Sequence, residues 1–505
     1  MPPARPPGLD SHPPHRHDDG TPTPLTEETP DMRNTPRIWQ LVDAKRDEMI
    51  ALADRVWETP EPLYTERRSA AAHVEALEQQ GFRVEAGVAG IPTAIMAEAG
   101  EGGPVIAILG EYDALPGLSQ QAGIAEPKPV EGQNGAGHGC GHNLLGAGAL
   151  FAATAVKDWL AERGIQGRVR YYGCPAEEGG AGKTFMVRAG LFDDADIAIT
   201  WHPDSFAGVA PAIALANTRV DFTFTGRASH AAAAPELGRS ALDAVELMNV
   251  GVNYMREHMN SEARVHYAIL DAGGIAPNVV QPRAKVRYAI RNTDVAGMRA
   301  LFERVRKIAQ GAALMTETTL AVKVVSAFSN LVGNRPLEEA MQAEFDRLGP
   351  PEFDEADRAY AAAIRATLDQ GDIRAAFRSA GLPFDPSMDL CDTIVPLDAP
   401  RKPAVGSTDV GDVSWVVPTV QAHGATCATG TPFHSWQLTA QGQSPHAHKG
   451  MIHAAKVMAA TATAALENPD LIARAKADLA RRLEGQRYES PIPAEIPPPL
   501  DMAKG

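Results

Sequence analysis

From about residue 93 to residue 200, short apolar runs alternate with helical stretches, and no other feature of this chain narrows its fold so far. The run Val105-Ile106-Ala107-Ile108-Leu109 has no polar position, so a strand made from it must be covered on both faces. Residues 144–163 are largely apolar but too long for one strand, and they read as a buried helix. A strand at 168–173, a helix at 182–189 and a strand at 196–200 continue the alternation. Ahead of them, Ile38, Leu41, Val42, Met49, Leu52, Ala53 and Val56 fall at helical spacing between Thr35-Pro36 and Pro60. A second helix is expected over 66–80 and a strand over 93–97. Strands alternating with helices predict an α/β domain, with a mostly parallel sheet held between helical layers in a three-layer catalytic fold.

The order changes near residue 216. A strand at 219–225, a helix at 240–256, strands at 265–270 and 284–291, a helix at 295–308 and a strand at 319–325 read β-α-β-β-α-β. That is the split unit of the ferredoxin-like α+β fold. The expected organisation is a catalytic domain made of 37–215 and 327–470, interrupted by a satellite domain at 216–326. Its second part carries helices near 336–348 and 353–380 and a strand near 418–422. Residues 1–36 hold ten of the chain's 40 prolines, along with His12, His15 and His17, and are expected to be a disordered tail. Residues 471–505 form a C-terminal extension.

Composition excludes several classes. There are 63 acidic residues against 47 basic ones, and the net charge of −16 argues against a nucleic-acid binder. No run of 18 or more uncharged apolar residues occurs, so no membrane span is expected. The N-terminus lacks the apolar stretch of a secretory signal. Four cysteines do not make a disulfide framework, and Cys174, Cys391 and Cys427 read as core residues. The expectation is a cytoplasmic, globular enzyme.

Ligand sites in such sheets form at the carboxyl ends of the strands. Three strand ends here run into polar clusters: Gly110-Glu111-Tyr112-Asp113, Cys174-Pro175-Ala176-Glu177-Glu178, and Trp201-His202-Pro203. A fourth cluster, His138-Gly139-Cys140-Gly141-His142-Asn143, lies in a glycine-rich loop before a helix. A lone Cys-x-His says little, and a lone Glu-Glu pair is usually solvated. Their succession on strand ends is what points to a metal site, because buried carboxylates without a cation are costly. Adjacent Glu177 and Glu178 point in different directions, so one can bind metal while the other serves as a general base for hydrolysis. His73, on an alanine-rich helix, reads as a surface group or a satisfied core group.

The series GEYDALPG, GHGCGHN, PAEEGGAGK, WHP, GRASHAAAAP and APNVV resembles the co-catalytic metallo-amidohydrolases of the aminoacylase/carboxypeptidase family. The extended loop after DALPG, the tryptophan of TWHP, and the stretches STDVGDVSWVVPTV and GTPFHSWQ are most similar to one branch of that family. This branch cleaves p-aminobenzoyl-glutamate and auxin conjugates. The resemblance spans roughly residues 37–470. It implies metal ligands Cys140, His142, Glu178 and His202, with Glu177 as general base and Asp113 beside the metals. The last ligand is a histidine before a serine, which His434 matches best. The usual next residue is proline, and here it is Trp436, so His448 is the runner-up, with His446 and His453 behind it. His230 matches the satellite-domain histidine that stabilises the oxyanion. Asn278 and Arg291 match an Asn and Arg that bind the substrate's carbonyl and carboxylate, although Val280-Gln281-Pro282 departs from the usual Ile-Pro.

The resemblance further implies two divalent metal ions per subunit, zinc or manganese. It implies a homodimer formed through the satellite domain, and a paralogous subunit remains open. The expected activity is hydrolysis of the amide bond of N-acyl or N-aroyl amino acids such as p-aminobenzoyl-glutamate. The competing readings are a dipeptidase or carboxypeptidase acting on free peptides, and a non-catalytic subunit that keeps the fold.

Overall fold

The computed structural model describes residues 35–131, 134–401 and 406–504. The Pro-rich tail, with His12, His15 and His17, lies outside the described residues. In chain order the first strands are β1 (Arg83–Ala86), β2 (Ile95–Glu101), β3 (Val105–Glu111), β4 (Gly167–Cys174), β5 (Ile197–Asp204) and β6 (Ala207–Val209). Next come β7 (Ala216–Thr225), β8 (Arg264–Asp271), β9 (Arg283–Asn292) and β10 (Thr319–Phe328), and finally β11 (Ile394–Val395) and β12 (Thr419–Ala425).

Eight strands form the large sheet in the order β1-β2-β4-β3-β5-β12-β6-β11. Its centre, β4-β3-β5-β12, is parallel throughout, while β1, β2 and the β12–β6 pair supply antiparallel margins. All of β3 is buried, as a strand with no polar face requires. Ile106 and Ile108 face one apolar cluster, and Ala107 and Leu109 face another on the opposite side. The first layer contains the helices His142–Arg163 and Pro445–Glu467, which pack on each other and on the sheet. The helix His142–Arg163 is long and apolar enough to cross a membrane, but its apolar surface is enclosed by this core. The helices Gly182–Arg188 and Val410–Val416 cover the other face.

The four remaining strands form a second sheet in the order β10-β7-β9-β8, antiparallel at every pair. The helices Ala241–Met255 and Val295–Thr316 cover one of its faces and enclose Val220, Phe222, Phe224, Val286 and Tyr288. Order and connectivity are those of the ferredoxin-like unit.

Some details depart from the pattern of the sequence. The first helix is two, Thr35–Asp43 and Arg46–Trp57, broken where Lys45 leaves helical geometry. The stretch expected as one helix at 353–380 is also two, Glu355–Arg365 and Gln370–Ala380. Asp369 starts the second by accepting a hydrogen bond from the Gly371 amide, a capping geometry that competes with helix continuation. The C-terminal extension is bound into the fold. Its helix Pro469–Leu483 buries Leu471, Ile472, Ala475 and Leu479. Arg188 donates to the carbonyls of Pro493 and Ile496.

Three core histidines are structural. His73 Nδ1 donates to the Ser69 carbonyl at 2.8 Å, and the ring lies 4.8 Å from that of Tyr112. His446 Nε2 meets Ser444 Oγ and Gln441 Oε1, and His453 Nε2 donates to the Gly349 carbonyl at 2.7 Å. Burial pushes all three down to about 4 and keeps them neutral. An unfolded histidine takes up its proton at about 6.5. Between the two values the unfolded chain therefore binds more protons, and stability falls as the pH falls. A glutamine can donate to Gly349 but cannot titrate. Compared with His453→Gln, the wild type should lose about 1.4 kcal/mol per pH unit from about pH 6.5 towards pH 4, measured by urea unfolding.

Candidate metal centre

The site lies where β3, β4 and β5 end. The register sets Glu111 opposite Cys174 on β4, and His202 opposite His423 on β12. Beyond β4 the chain folds back sharply through Ala176 and Ala181, both at positive φ. A side chain at Gly180 would collide with Tyr64 and Ala176, and one at Gly179 with the Arg219 guanidinium. These glycines let the turn carrying Glu177 and Glu178 lie flat against its neighbours. Gly141, at φ 74, opens the helix His142–Arg163 and brings Cys140 and His142 to the same centre.

Among the described residues, three overlapping groups bring ligand atoms within 4.8 Å of one another: Cys140–His142–His202, Cys140–Glu178–His434 and Glu111–His142–Glu177. Cys140 Sγ is 3.5 Å from His202 Nε2, and His434 Nε2 is 3.3 Å from Glu178 Oε2. His202 Nδ1 is 2.7 Å from the Pro203 carbonyl, so its proton sits there and Nε2 is left as a lone pair. His142 Nδ1 is 2.8 Å from Asp113 Oδ1, and the other oxygen of Asp113 accepts from the Glu178 amide at 3.0 Å. Asp113 thus orients one imidazole and the acidic turn together, as supporting groups around metals do. His142 Nε2, Glu178 Oε1 and Glu111 Oε2 are buried and have no hydrogen-bond partner. Thiol, imidazole and carboxylate donors that converge with their lone pairs unspent fit a divalent metal.

The electrostatics of the bare protein point the same way. Burial pushes the Glu177 carboxyl well above the usual range, and the carboxylates of Glu111, Asp409 and Glu178 add to it. Burial also works against ionisation of Glu178, but His434 and His142 outweigh it and hold that carboxyl at about 2. Burial raises the Cys140 thiol and lowers His202 to about 4. A bound dication reverses the balance for Glu177 and for the thiol, and adds to what already holds Glu178 ionised.

Beside the cluster a cavity of about 770 Å³ reaches from Glu111, Cys140, Glu177, Glu178, His202 and His434 to Arg291. Much of its wall is apolar, with Phe206, Val209, Ile213, Leu331 and Phe433. His434 sits at positive φ, a conformation costly for a residue with a side chain. Its amide donates to the Gly139 carbonyl at 2.8 Å, which ties its loop to the cysteine loop. Its rivals are engaged elsewhere. His448 Nε2 is 2.9 Å from Asp54 Oδ1, and His446 and His453 have the core partners already described. His230 and Asn278 do not line this cavity. They are exposed together on the satellite unit, where the Ala231 amide donates to the Asn278 carbonyl at 2.9 Å.

Four residues reach the site without having been singled out by sequence. Glu111 faces His142. Lys183 is fully buried between Glu111 and Asp409, at 2.5 and 2.6 Å. Arg219 on β7 donates to the Glu178 carbonyl at 3.0 Å. The available signal was position: Glu111, Lys183 and Asp409 all fall inside the motifs GEYDALPG, PAEEGGAGK and STDVGDVSWVVPTV.

The profile of peptidase family M20/M25/M40 matches residues 107–381. The chain is 47% identical over 468 residues to one of the subunits of the p-aminobenzoyl-glutamate hydrolase of Escherichia coli (strain K12), covering 90% of this chain and 97% of that protein. It is 27% identical to the Xaa-Arg dipeptidase of Mus musculus, over 89% of this chain and 93% of that one. Among solved structures it is similar in fold to a Bacillus subtilis peptidase described as binding a dinuclear metal, with a TM-score of 0.52 and 18% identity, over 82% of this chain and 99% of that one.

If His434 completes the ligand set and His448 only braces two helices, their alanine variants should differ in kind. His434→Ala should lose metal, counted by mass spectrometry, with little change in unfolding temperature of the metal-free protein. His448→Ala should keep its metal and unfold at a lower temperature.

Proposed function

Because the chain belongs to peptidase family M20/M25/M40 and is a hydrolase of amide bonds, we propose that it cleaves N-aroyl or N-acyl amino acids of the p-aminobenzoyl-glutamate type with two divalent ions, zinc or manganese. The observation that carries this reading is the convergence of Cys140, His142, Glu178, His202 and His434 beside Glu177, bordering a cavity with an apolar wall. The wall suits an aryl or acyl group. Arg291 at the same cavity suits the carboxylate of the amino-acid half, which a guanidinium fork binds well.

The ions, when bound, supply Lewis acidity that polarises the carbonyl and acidifies a water. Glu177 takes the proton of the attacking water and later hands it to the leaving nitrogen. Asp113 keeps the Nδ1 proton of His142 in place, so that Nε2 faces the metals. His230 donates from Nε2 to the developing oxyanion. In support, His230 Nδ1 accepts hydrogen bonds from the amides of Ala232 and Ala233 at 3.2 and 3.1 Å, which leaves the proton of a neutral ring on Nε2. Asn278 would bind the substrate carbonyl beside it.

His230 and Asn278 would act in the site of a partner subunit. Supporting this, the satellite unit exposes Leu247, Val250 and Tyr254 on one helix, and Tyr267, Ile269 and Leu270 on the edge strand β8. An unpaired, partly apolar strand edge invites pairing with a second copy. The Escherichia coli relative is named as one subunit among others of its hydrolase, which keeps a paralogous partner chain within the proposal.

A screen of N-acyl and N-aroyl amino acids against free dipeptides, with metal content measured in parallel, tests the substrate class. Cleavage of dipeptides alone would overturn it. Within the acidic pair, Glu177→Gln should keep metal and substrate binding while turnover falls about 100- to 10,000-fold, whereas Glu178→Gln should weaken metal binding. Swapped phenotypes would reverse the two roles. A 1:1 mixture of His230→Ala and Glu177→Gln chains should recover about a quarter of wild-type activity once subunits exchange. Half the dimers are then hybrids, each with one intact site. No recovery despite verified exchange would place His230 in its own subunit's chemistry or outside it.

A further inference from the structure

Glu111 lies outside the ligand set assigned above, yet its surroundings are those of a ligand. Its side chain is 3% exposed at the carboxyl end of β3, and His142 is fully buried beside it. The proton of a neutral His142 ring stands on Nδ1 against Asp113, which leaves a lone pair on Nε2. That Nε2 lies 3.3 Å from Glu111 Oε2, and neither atom has a hydrogen-bond partner. Two lone-pair atoms facing each other in a buried site repel unless a cation satisfies both. The other oxygen of Glu111 is engaged. Oε1 is 2.5 Å from Lys183 Nζ, and that ammonium is also 2.6 Å from Asp409 Oδ1. Asp409 Oδ2 in turn accepts from the Lys183 amide at 2.8 Å. Lys183 is thereby fixed at both ends, and it fixes the rotation of the Glu111 carboxylate with Oε2 turned towards His142.

We propose that Glu111 is a further metal ligand, binding through Oε2 the ion it shares with His142, and that Lys183, held by Asp409, is the positioning residue that aims it. The inference rests on the two-metal reading of the cluster and extends it to a sixth protein ligand. A buried lysine beside a metal would ordinarily repel the ion. Here its charge is matched by two carboxylates, so Glu111 keeps one oxygen for the metal and gives the other to the ammonium. The competing account places a second proton on His142 in place of a metal, and makes Glu111 only a counter-charge for Lys183 and an imidazolium.

The experiment compares wild type, Glu111→Gln and Lys183→Met, each stripped and reloaded with zinc or cobalt(II) against a chelator of known affinity. Bound ions are counted by native mass spectrometry, and the visible absorption of the cobalt(II) form reports coordination number. Wild type should hold two ions. Glu111→Gln, which keeps shape and removes only the charge, should weaken one ion by at least about tenfold, leave the other unchanged and alter the cobalt spectrum. Lys183→Met should weaken the same ion by about 10- to 100-fold, the usual effect of losing a supporting contact. If Lys183→Met does not fold, Glu111→Gln decides alone. Two ions at wild-type affinity and an unchanged cobalt spectrum in Glu111→Gln, with only the metal-free unfolding temperature lowered, would leave the counter-charge account and overturn the proposal. A wild type that holds fewer than two ions would instead overturn the two-metal reading beneath it.

Discussion

Five carboxyl groups, those of Glu111, Asp113, Glu177, Glu178 and Asp409, meet in the interior at the ends of three parallel strands. Each costs several kcal/mol to bury as an anion. Against them stand the Lys183 ammonium, the Arg219 guanidinium and a set of imidazoles. Parallel pairing makes the crowding unavoidable, since β3, β4 and β5 run the same way and all deliver their last residues to one edge. The surrounding architecture answers that excess charge. Gly179 and Gly180 let the acidic turn approach Arg219 and Tyr64, and Asp113 spends both oxygens on His142 and the Glu178 amide. Bound divalent ions would supply the remaining part of the compensation.

The sheet was legible because its central strands are buried on both faces and so have no polar position to blur them. Val105 to Leu109 is the clearest case. The margins were not: β1 and β11 are short, and β1 is mostly exposed, so neither carries an apolar signature. Helix breaks at Lys45 and Asp369 depend on single residues whose side chains or backbone compete with helix geometry, and an apolar count passes over them. In the satellite unit the β-α-β-β-α-β order was readable from its two long amphipathic helices.

For the centre, sequence could point to Glu177, Glu178 and His202 because each falls where an apolar run ends in a polar cluster, and to Cys140 and His142 because they share a glycine-rich loop that leads into a helix. Pattern ranked His434 ahead of His448 but could not exclude the latter. The structure separates them by giving His448 an aspartate on a distant helix, Asp54. Lys183 was opaque for the same reason. A lysine read in isolation belongs in water, and its burial is set by Asp409, more than two hundred positions away, whose acid reaches both its ammonium and its amide. Pairings at that distance leave no trace in local spacing.

Histidine shows how one residue type is put to opposite uses by what touches Nδ1. In His142 and His202 that nitrogen faces an acceptor, the Asp113 carboxylate in one and the Pro203 carbonyl in the other, so the proton stays there and Nε2 offers a lone pair. In His230 it faces two donors, the amides of Ala232 and Ala233, so it must accept and the ring's proton moves to Nε2. The first arrangement suits a ring that binds a cation and the second a ring that donates to a developing anion. Burial reinforces the difference. His202 is held neutral by its enclosure, whereas His230 is exposed and has its tautomer set by backbone contacts alone. An exposed ring whose Nδ1 is taken up by its own backbone keeps its Nε2 proton to offer outside that loop.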